Sequence, residues 1–368
     1  RSKSPSSGQP MPSVHQLIIG ASRRDAITNM ALKLRDALAK TYDAEVYSYF
    51  PPEHTIDGEV LHLPDMPLGT AEDILVYHSS FGLEDVTKQL MQRPERLVIV
   101  YHNITPSIYY EASDPVFAEQ LAWGRTELEM IRSKVVKSFA DSHYNAEDLA
   151  TYGYSDITVI PAGVNPRRLD ETPTSTMFLG ELGQHFPNGF VLFVSQVLQH
   201  KRAELAIEMI HLLRSVWRLD IGLVVAGPIR KPLYRRDLEI LRQRLPEAHV
   251  LFTDELTEQQ LATLYRACSV YISTSEHEGL AIPPLEAMAN GAPVVVRAAG
   301  AVAETVKDAG IIIPLDAGVG ELAAAVARVL EDDSLRHQLI MGGQRRVQEF
   351  ESVDTVSHFV DCIEELFV

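Results

Sequence analysis

Short apolar segments alternate with amphipathic ones along most of this 368-residue chain. A short apolar run is typical of a buried parallel strand, whereas apolar positions that recur every three or four residues predict a helix packed on the sheet. The first pattern predicts strands at 14–19, 45–49, 73–78, 97–102, 157–161, 190–195, 221–226, 249–252 and 269–273. The second predicts helices at 26–40, 121–139, 203–217, 233–245, 258–268 and 353–367. This alternation indicates a doubly wound α/β architecture.

The length of the chain favours two domains, because single hydrophobic cores rarely grow to 368 residues. A second strand–helix cycle begins near residue 190, after a segment with Gly, Pro and Asn, so we place a linker at 168–188. Residues 1–13 are rich in Ser and Pro and are expected to be a disordered leader. The two Rossmann-like domains are then expected at 14–175 and 176–350.

Composition excludes several classes of function. The formal net charge of −17 argues against a nucleic-acid partner, which requires a basic surface. No uninterrupted apolar run approaches the ~18–20 residues of a membrane span. The two cysteines, Cys268 and Cys362, are predicted to be core thiols, which suits a cytoplasmic protein. No Cys and His residues have metal-ligand spacing, so no metal site and no cofactor are expected.

The segment 275–288 carries the chemistry that is easiest to interpret. Glu278 and Glu286 are separated by seven residues, between a predicted strand and a helix that begins near Pro283. Gly279 lets a ligand approach the backbone, and free N–H groups at a helix start favour an anion. Carboxylates on both sides of an anion can accept hydrogen bonds from hydroxyls. A nucleotide sugar has that arrangement of hexose, pyrophosphate and ribose, although two solvated glutamates on a strand–turn–helix remain the alternative.

The same segment resembles a known family. Glu-x7-Glu followed by Ala-Met-Ala-Asn-Gly-Ala-Pro-Val-Val-Val is similar to the donor-site signature of the retaining family-4 glycosyltransferases. The resemblance implies the GT-B fold, in which two Rossmann-like domains face each other across a cleft. It also implies that the final segment, 351–368, returns to the N-terminal domain.

The resemblance implies a donor site in the second domain. Glu278 would bind donor hydroxyls and stabilise positive charge on the sugar ring, and Glu286 would bind the ribose. Lys201 matches a lysine that binds the diphosphate, but Ser195 and Gln196 replace the usual Gly-Arg, so the uncharged Gln196 leaves more of the charge to Lys201. The expected donor-binding residues are Gly20, Gln196, Lys201, Arg202, Thr253, Gly279, Leu280, Ala281, Ile282 and Glu286.

His102 ends a predicted strand in the motif His-Asn-Ile-Thr-Pro, which resembles a subgroup that makes bacterial polysaccharides and related glycosides. The resemblance places this imidazole near the donor sugar and makes Glu278, His102 and Lys201 the expected catalytic residues. A strand-end histidine with a structural role is the alternative. The expected acceptor-side residues are Arg23, Asp25, Asn29 and His78, although Asp25 can equally be a helix N-cap.

The predicted helix 121–139 carries Arg125, Arg132, Lys134 and Lys137. Some relatives use a basic helix of the first domain to bind anionic membranes, so weak association with the inner face of the membrane is one interpretation. Because Glu127 and Glu129 interrupt the basic residues, a solvated helix face is the favoured one.

The chain is therefore predicted to be a retaining hexosyltransferase that uses a nucleoside-diphosphate sugar and a hydroxyl acceptor. No Asp-x-Asp occurs in the sequence, so we expect the reaction to need no metal ion. A catalytically silent GT-B partner protein and a GT-B epimerase or phosphorylase are the alternatives. The sequence leaves open the base and sugar of the donor, the acceptor (glycan, lipid-linked saccharide or small molecule) and the oligomeric state.

Overall fold

The computed structural model describes residues 11–23, 25–161 and 164–368. The chain divides into two compact units, which we call the N-terminal and C-terminal units. The C-terminal unit is Asn165–Val353, and the N-terminal unit combines the preceding residues with Asp354–Val368. Residues 1–10 of the predicted leader 1–13 lie outside the described residues. Ser13 is ordered beside the sheet, because its backbone N–H donates to Asp73 Oδ1 at 2.7 Å.

The N-terminal unit contains a seven-stranded parallel sheet with the order β3-β2-β1-β4-β5-β6-β7. Its strands are β1 (Val14–Ile18), β2 (Val46–Ser48), β3 (Leu61–His62), β4 (Ile74–Ser79), β5 (Arg96–Tyr101), β6 (Val135–Ala140) and β7 (Ile157–Val159). Its first four helices are α1 (Ala26–Leu38), α2 (Glu84–Gln92), α3 (Pro115–Ile131) and α4 (His143–Thr151).

The C-terminal unit contains a six-stranded parallel sheet with the order β10-β9-β8-β11-β12-β13. Its strands are β8 (Phe190–Val194), β9 (Gly222–Ala226), β10 (Val250–Phe252), β11 (Val270–Ser273), β12 (Val294–Arg297) and β13 (Ile311–Ile313). Its helices are α5 (Thr176–His185), α6 (Ala203–Ser215), α7 (Pro232–Arg244), α8 (Glu258–Ala267), α9 (Ile282–Ala289), α10 (Val302–Val306), α11 (Val319–Glu331) and α12 (Asp333–Glu351).

Both sheets are covered by helices, which explains why the central strands are continuous apolar runs. In β8, for example, Phe190 to Phe193 are all buried, although neighbouring side chains of a strand point to opposite faces. The strand order reverses at β1 in the N-terminal unit and at β8 in the C-terminal unit. Ligands of open α/β sheets bind beyond the carboxyl ends of strands at such points. The loops after β1, β8 and their neighbouring strands are therefore candidate ligand-binding segments.

The last helix, α13 (Thr355–Glu365), belongs to the N-terminal unit. Its Phe359 ring is 4.7 Å from Phe139 of β6, and Phe367 stacks on Tyr42 with ring centroids 4.9 Å apart. The predicted return of the final segment to the first domain is therefore confirmed. In the described part of the chain, no helix is both long enough and apolar enough to cross a bilayer.

The predicted helix at 121–139 is correct only as far as Ile131. Helix α3 ends at Ile131, and the next six-residue element, Val135–Ala140, is strand β6 between β5 and β7. The basic residues do not form one helical face: Arg125 donates to the Ile104 carbonyl at 2.6 Å, and Lys134 donates to the Leu90 and Arg93 carbonyls. These residues therefore do not form the basic helix that was one interpretation of the sequence.

The predicted linker at 168–188 is also corrected. Helix α5 occupies Thr176–His185, and Phe178 and Leu182 pack in the core of the C-terminal unit. Leu169 is buried in the same core, so the units divide between Val164 and Asn165 rather than at 175. Apolar burial on one face of α5 holds this segment in the second unit.

Candidate functional site

The loop after β11 leads directly into α9, and this junction contains the predicted donor site. Pro283 and Pro284 occupy the first turn of α9, where their fixed φ suits a helix start. Because proline has no N–H, the first turn of α9 offers no backbone donor at Pro283 or Pro284. An anion at this end would therefore lie against the segment 279–282, whose four residues are among the expected donor-binding residues.

Glu278 and Lys201 lie together at this junction. Lys201 Nζ is 2.8 Å from Glu278 Oε1, and Ser275 Oγ donates to the same oxygen at 2.7 Å. Lys201 closes a short 3-10 turn between β8 and α6, and its carbonyl accepts from Thr274 Oγ1 at 2.9 Å. Since β8 and β11 are neighbouring parallel strands, their following loops meet at one edge of the sheet. Two of the predicted catalytic residues thus share one site.

Gly300 fixes the position of the Glu278 backbone. The Glu278 carbonyl accepts from the Ala301 N–H at 2.9 Å. A Cβ at Gly300 would lie 2.2 Å from this carbonyl oxygen, and Gly300 has a φ of 57°. Both the close approach and the left-handed conformation require glycine. Glycine at position 300 is therefore needed to hold the Glu278 backbone in place.

Glu286 is buried and already bound on both oxygens. Arg168 Nε donates to Oε1 at 2.5 Å, and Tyr265 OH donates to Oε2 at 2.9 Å. Burial and the Glu286 charge raise the pKa of Tyr265 well above its ordinary value. Burial opposes the charged form of Arg168, but Glu286 outweighs it and raises the pKa of Arg168. Each carboxylate oxygen keeps a second lone pair, which is what the predicted ribose contact requires.

The other predicted donor residues lie on several elements of the two units. Arg202 is engaged by Glu204 and Glu276, and Gln196 is exposed just after β8. Leu280 and Ile282 are half-buried and Ala281 is buried next to α9. Thr253 follows β10, two strands away from β8, and Gly20 is exposed at the end of β1 in the N-terminal unit.

The sequence interpretation did not identify several residues of this site. Arg168 is one, because no spacing links it to Glu286, 118 positions away. His200 is another: it is 5% exposed, and burial together with Lys201 and His277 lowers its pKa to about 3. His200 therefore stays neutral beside Lys201 at physiological pH. A single histidine before a lysine has no distinctive signal in a sequence.

In the N-terminal unit, His102 is bound on both ring nitrogens. Nδ1 is 2.7 Å from Asp141 Oδ2, and Nε2 is 2.9 Å from Nδ1 of His78. His78, predicted on the acceptor side, is instead a buried residue with 1% exposure, and its Nε2 is 2.9 Å from Gln16 Oε1. Burial, with a smaller effect of His102, lowers the pKa of His78 well below its ordinary value. A hydrogen bond from a ring nitrogen of His102 to a donor sugar would need one of these contacts to open.

The remaining acceptor-side residues lie at the start of α1. Asp25 is the N-cap and accepts from the Thr28 N–H at 2.7 Å, which confirms the structural alternative for this residue. Arg23 donates to the Thr55 carbonyl at 2.8 Å, and Asn29 Nδ2 donates to the Arg23 carbonyl at 3.2 Å. The loop is thus held together by its own contacts, and acceptor binding by these residues stays a prediction.

Similarity to known proteins was found for both sequence and structure. Residues 185–346, which include Lys201, Glu278 and Glu286, match the family model "Glycosyl transferases group 1". The chain is 32% identical over 193 residues to the lipopolysaccharide core biosynthesis mannosyltransferase LpsB of Rhizobium meliloti. That match covers 50% of this chain and 53% of the relative, so the chain spans about half the length of this curated protein.

Solved structures extend the comparison to nearly the whole chain. A sucrose-phosphate synthase from Thermosynechococcus elongatus has a TM-score of 0.74 at 19% identity, covering 97% of this chain and 99% of its own. HepE of Anabaena, in complex with UDP and glucose, has a TM-score of 0.70 at 18% identity, covering 96% of this chain and 100% of its own. At these identities the likeness establishes the fold. The chain thus has the GT-B fold, and the match over 185–346 confirms its resemblance to the family-4 glycosyltransferases.

Proposed function

We propose that this chain transfers a hexosyl unit from a nucleoside-diphosphate sugar to a hydroxyl acceptor, with retention at the anomeric carbon and without a metal ion. The observation that carries the proposal is the contact of 2.8 Å between Lys201 Nζ and Glu278 Oε1 beside the start of α9. It joins a cation for the diphosphate to a carboxylate for the sugar, at the end of the sheet where α/β proteins bind ligands.

Lys201 is the residue that would stabilise the leaving group. When the bond from the anomeric carbon to the diphosphate breaks, negative charge grows on the phosphate oxygens, and a fixed ammonium with nearby N–H groups opposes that charge. Diphosphate and Glu278 would compete for the same ammonium. Once Lys201 turns towards the phosphates, Glu278 keeps its hydrogen bond from Ser275 and gains free lone pairs for donor hydroxyls.

Glu286 is suited to hold the ribose because its position is fixed before the nucleotide arrives. Arg168 compensates its charge, and Tyr265 holds the second oxygen. A buried carboxylate without such partners would be costly to keep charged. The contacts therefore keep a charged acceptor ready for the ribose hydroxyls.

The names of related proteins support this class of reaction. The relative from Rhizobium meliloti is a mannosyltransferase of lipopolysaccharide core biosynthesis, and the Anabaena structure contains UDP and glucose. A nucleotide-linked hexose is therefore the donor class to test first, with saccharide acceptors. Retention, independence of metal ions and a cytoplasmic location, with or without contact to the inner face of the membrane, remain predictions.

Release of free nucleoside diphosphate tests the proposal. The full chain would be incubated with UDP-glucose, nucleoside-diphosphate mannose and related donors, with and without saccharide acceptors. Transfer forms the bond between the acceptor oxygen and the anomeric carbon, breaks the bond to the diphosphate, and passes the hydroxyl proton to the diphosphate or to solvent. We expect release with at least one donor, and the anomeric coupling of the first product shows whether configuration is retained.

A pair of variants makes the assay specific for the site. Glu278→Gln should lower turnover, whereas Glu181→Gln, at an exposed carboxylate of α5, should change it little. No release with any donor by a folded protein would instead favour the silent-partner alternative. Equal losses of turnover in both variants would show that the Glu278 carboxylate has no specific role.

A further inference from the structure

Four adjacent strands of the N-terminal unit carry one continuous row of buried polar side chains. Gln16 lies in β1, His78 in β4, His102 directly after β5 and Asp141 directly after β6. These strands are neighbours in the sheet order β1-β4-β5-β6. Gln16 is fully buried, the His102 side chain is 4% exposed and Asp141 is 5% exposed. Buried polar groups of this kind must form hydrogen bonds with one another, because water does not reach them.

Gln16 sets the direction of the hydrogen bonds. Its Nε2 donates to the Ala31 carbonyl in α1 at 2.8 Å, so its Oε1 must be the atom that faces His78. An amide oxygen only accepts, so His78 Nε2, at 2.9 Å, must carry a proton and donate. The carbonyl of a helix thus fixes which nitrogen of His78 is protonated.

The next contact needs a proton as well. His78 Nδ1 and His102 Nε2 are 2.9 Å apart, and two unprotonated nitrogens at that distance would repel each other. The last contact, 2.7 Å between His102 Nδ1 and Asp141 Oδ2, needs a third proton for the same reason. Three contacts therefore hold three protons, one more than two neutral imidazoles beside a carboxylate would carry.

The surroundings decide where the additional proton resides. Complete burial opposes a positive charge on His78, whose pKa is lowered well below its ordinary value. His102 is the ring next to Asp141, so a positive charge there is paired directly with a carboxylate. A buried cation is tolerated when it is both paired and hydrogen-bonded.

We infer that Gln16, His78 and Asp141 are positioning residues that hold His102 as an imidazolium with a proton on each ring nitrogen. His78 accepts the Nε2 proton of His102, Asp141 accepts the Nδ1 proton, and Gln16 keeps His78 in the accepting tautomer.

This protonation state limits what His102 can do, and that consequence rests on the proposed transfer reaction. An imidazolium with both nitrogens bound cannot take the proton of an acceptor hydroxyl, so His102 is not the general base. It can act as a fixed positive charge at the carboxyl end of β5, which stabilises negative charge on a bound substrate.

Nitrogen NMR of the histidine side chains tests the inference without any substrate. In the full chain labelled with 15N-histidine, long-range proton–nitrogen correlations near neutral pH distinguish the two neutral tautomers from the doubly protonated ring. His78→Asn and His102→Asn assign the two residues. We expect His102 to be doubly protonated and His78 to be neutral with its proton on Nε2. His15 is an internal reference for that neutral form, because its Nδ1 accepts from the Glu45 N–H at 3.2 Å.

A carboxylate variant tests the role of Asp141. In Asp141→Asn, the amide can donate to His102 Nδ1, so the doubly protonated signature of His102 should be lost. The matched change Asp148→Asn, at a carboxylate bound to Tyr101 of β5, should leave that signature unchanged. A neutral His102 in the unaltered chain, or an imidazolium that persists in Asp141→Asn, would overturn the inference. Neither result depends on glycosyl transfer, so failure of the proposed function would be seen separately, in the donor assay. If Asp141→Asn does not fold, the spectrum of the unaltered chain alone decides.

Discussion

Lys201 Nζ lies 2.8 Å from Glu278 Oε1, so the cation and the carboxylate of the candidate site form an ion pair. The pair spans the loops after two neighbouring strands and is partly shielded from water, with side-chain exposures of 15% and 19%. A bound diphosphate would replace Glu278 as the partner of Lys201, because it offers the ammonium more negative charge than one carboxylate.

Replacing the cation should therefore reduce catalysis more than donor binding. Lys201→Met removes the charge that opposes the developing diphosphate, and loss of one such group lowers kcat by about 100–1,000-fold. Steady-state kinetics with the active donor would measure the change. Arg236→Gln, which removes an exposed cation from α7, is the control and should leave kcat within about twofold. A similar loss of kcat in both variants would indicate an effect of the net charge of the protein and not of Lys201 itself.

Glu286 should affect both donor binding and stability. Glu286→Ala leaves the Tyr265 hydroxyl buried without its acceptor, which costs about 1–3 kcal/mol of the free energy of unfolding. Glu286→Gln keeps an acceptor for Tyr265 and should cost less, while the donor KM should rise in both. Denaturant unfolding and donor titration measure the two effects. Glu258→Gln, which also removes a partner of Arg168 but at an exposed carboxylate, should change neither appreciably.

Gly300→Ala should displace the backbone of Glu278, although Gly300 lies outside the segment 275–288. The left-handed φ of 57° costs a non-glycine residue about 1–2 kcal/mol, and the new Cβ would meet the Glu278 carbonyl at 2.2 Å. We expect lower stability together with a lower kcat/KM for the donor. Gly183→Ala is the matched control, since Gly183 is exposed within α5 and no atom lies within 4 Å of its added Cβ. This control should gain about 0.5–1 kcal/mol, and a loss there would question the packing of α5.

A buried acid outside the site makes stability depend on pH. Glu127 in α3 is fully buried, accepts from Tyr77 OH at 2.7 Å and from Thr87 Oγ1 at 2.5 Å, and burial raises its pKa from 4.5 to about 7. The folded chain thus binds this proton more tightly than the unfolded chain. The stabilisation is complete below about pH 4.5 and is lost as the pH rises through about 7, by at most about 3 kcal/mol.

Glu127→Gln should remove this pH dependence, because the amide keeps a similar shape without a titrating group. Free energies of unfolding measured between pH 4.5 and 8 would show the unaltered chain losing stability relative to the variant as the pH rises. Parallel curves for the two proteins would contradict the assignment. Glu129→Gln, on the exposed side of the same helix, serves as the control and should run parallel to the unaltered chain.

Much of the fold could be predicted because buried parallel strands are continuous apolar runs. Segments such as Phe190–Val194 and Val270–Ser273 stand out from their surroundings without any knowledge of the partner strands. The segment after α3 was wrongly predicted as helix because no residue marks where that helix ends. Residues 132–134 form a short turn without Gly or Pro, so nothing in the sequence marks the change from α3 to β6.

The candidate site was predictable only where its residues are close in sequence. Glu278, Glu286 and the turn between them form a local pattern, and Lys201 was predicted because it matches a lysine of the resembled family. Arg168 and Tyr265 reach Glu286 from other parts of the chain, and no periodicity connects them. The double engagement of His102 by Asp141 and His78 likewise depends on the order of the strands in the sheet, which a single sequence does not contain.

A crystal structure with an intact nucleotide sugar would test the central claim most directly. We predict that the diphosphate contacts Lys201 and the backbone N–H groups of residues 279–282, with the ribose on Glu286 and the hexose on Glu278. A nucleotide bound away from the β11–α9 junction, with the Lys201–Glu278 pair still closed, would contradict it.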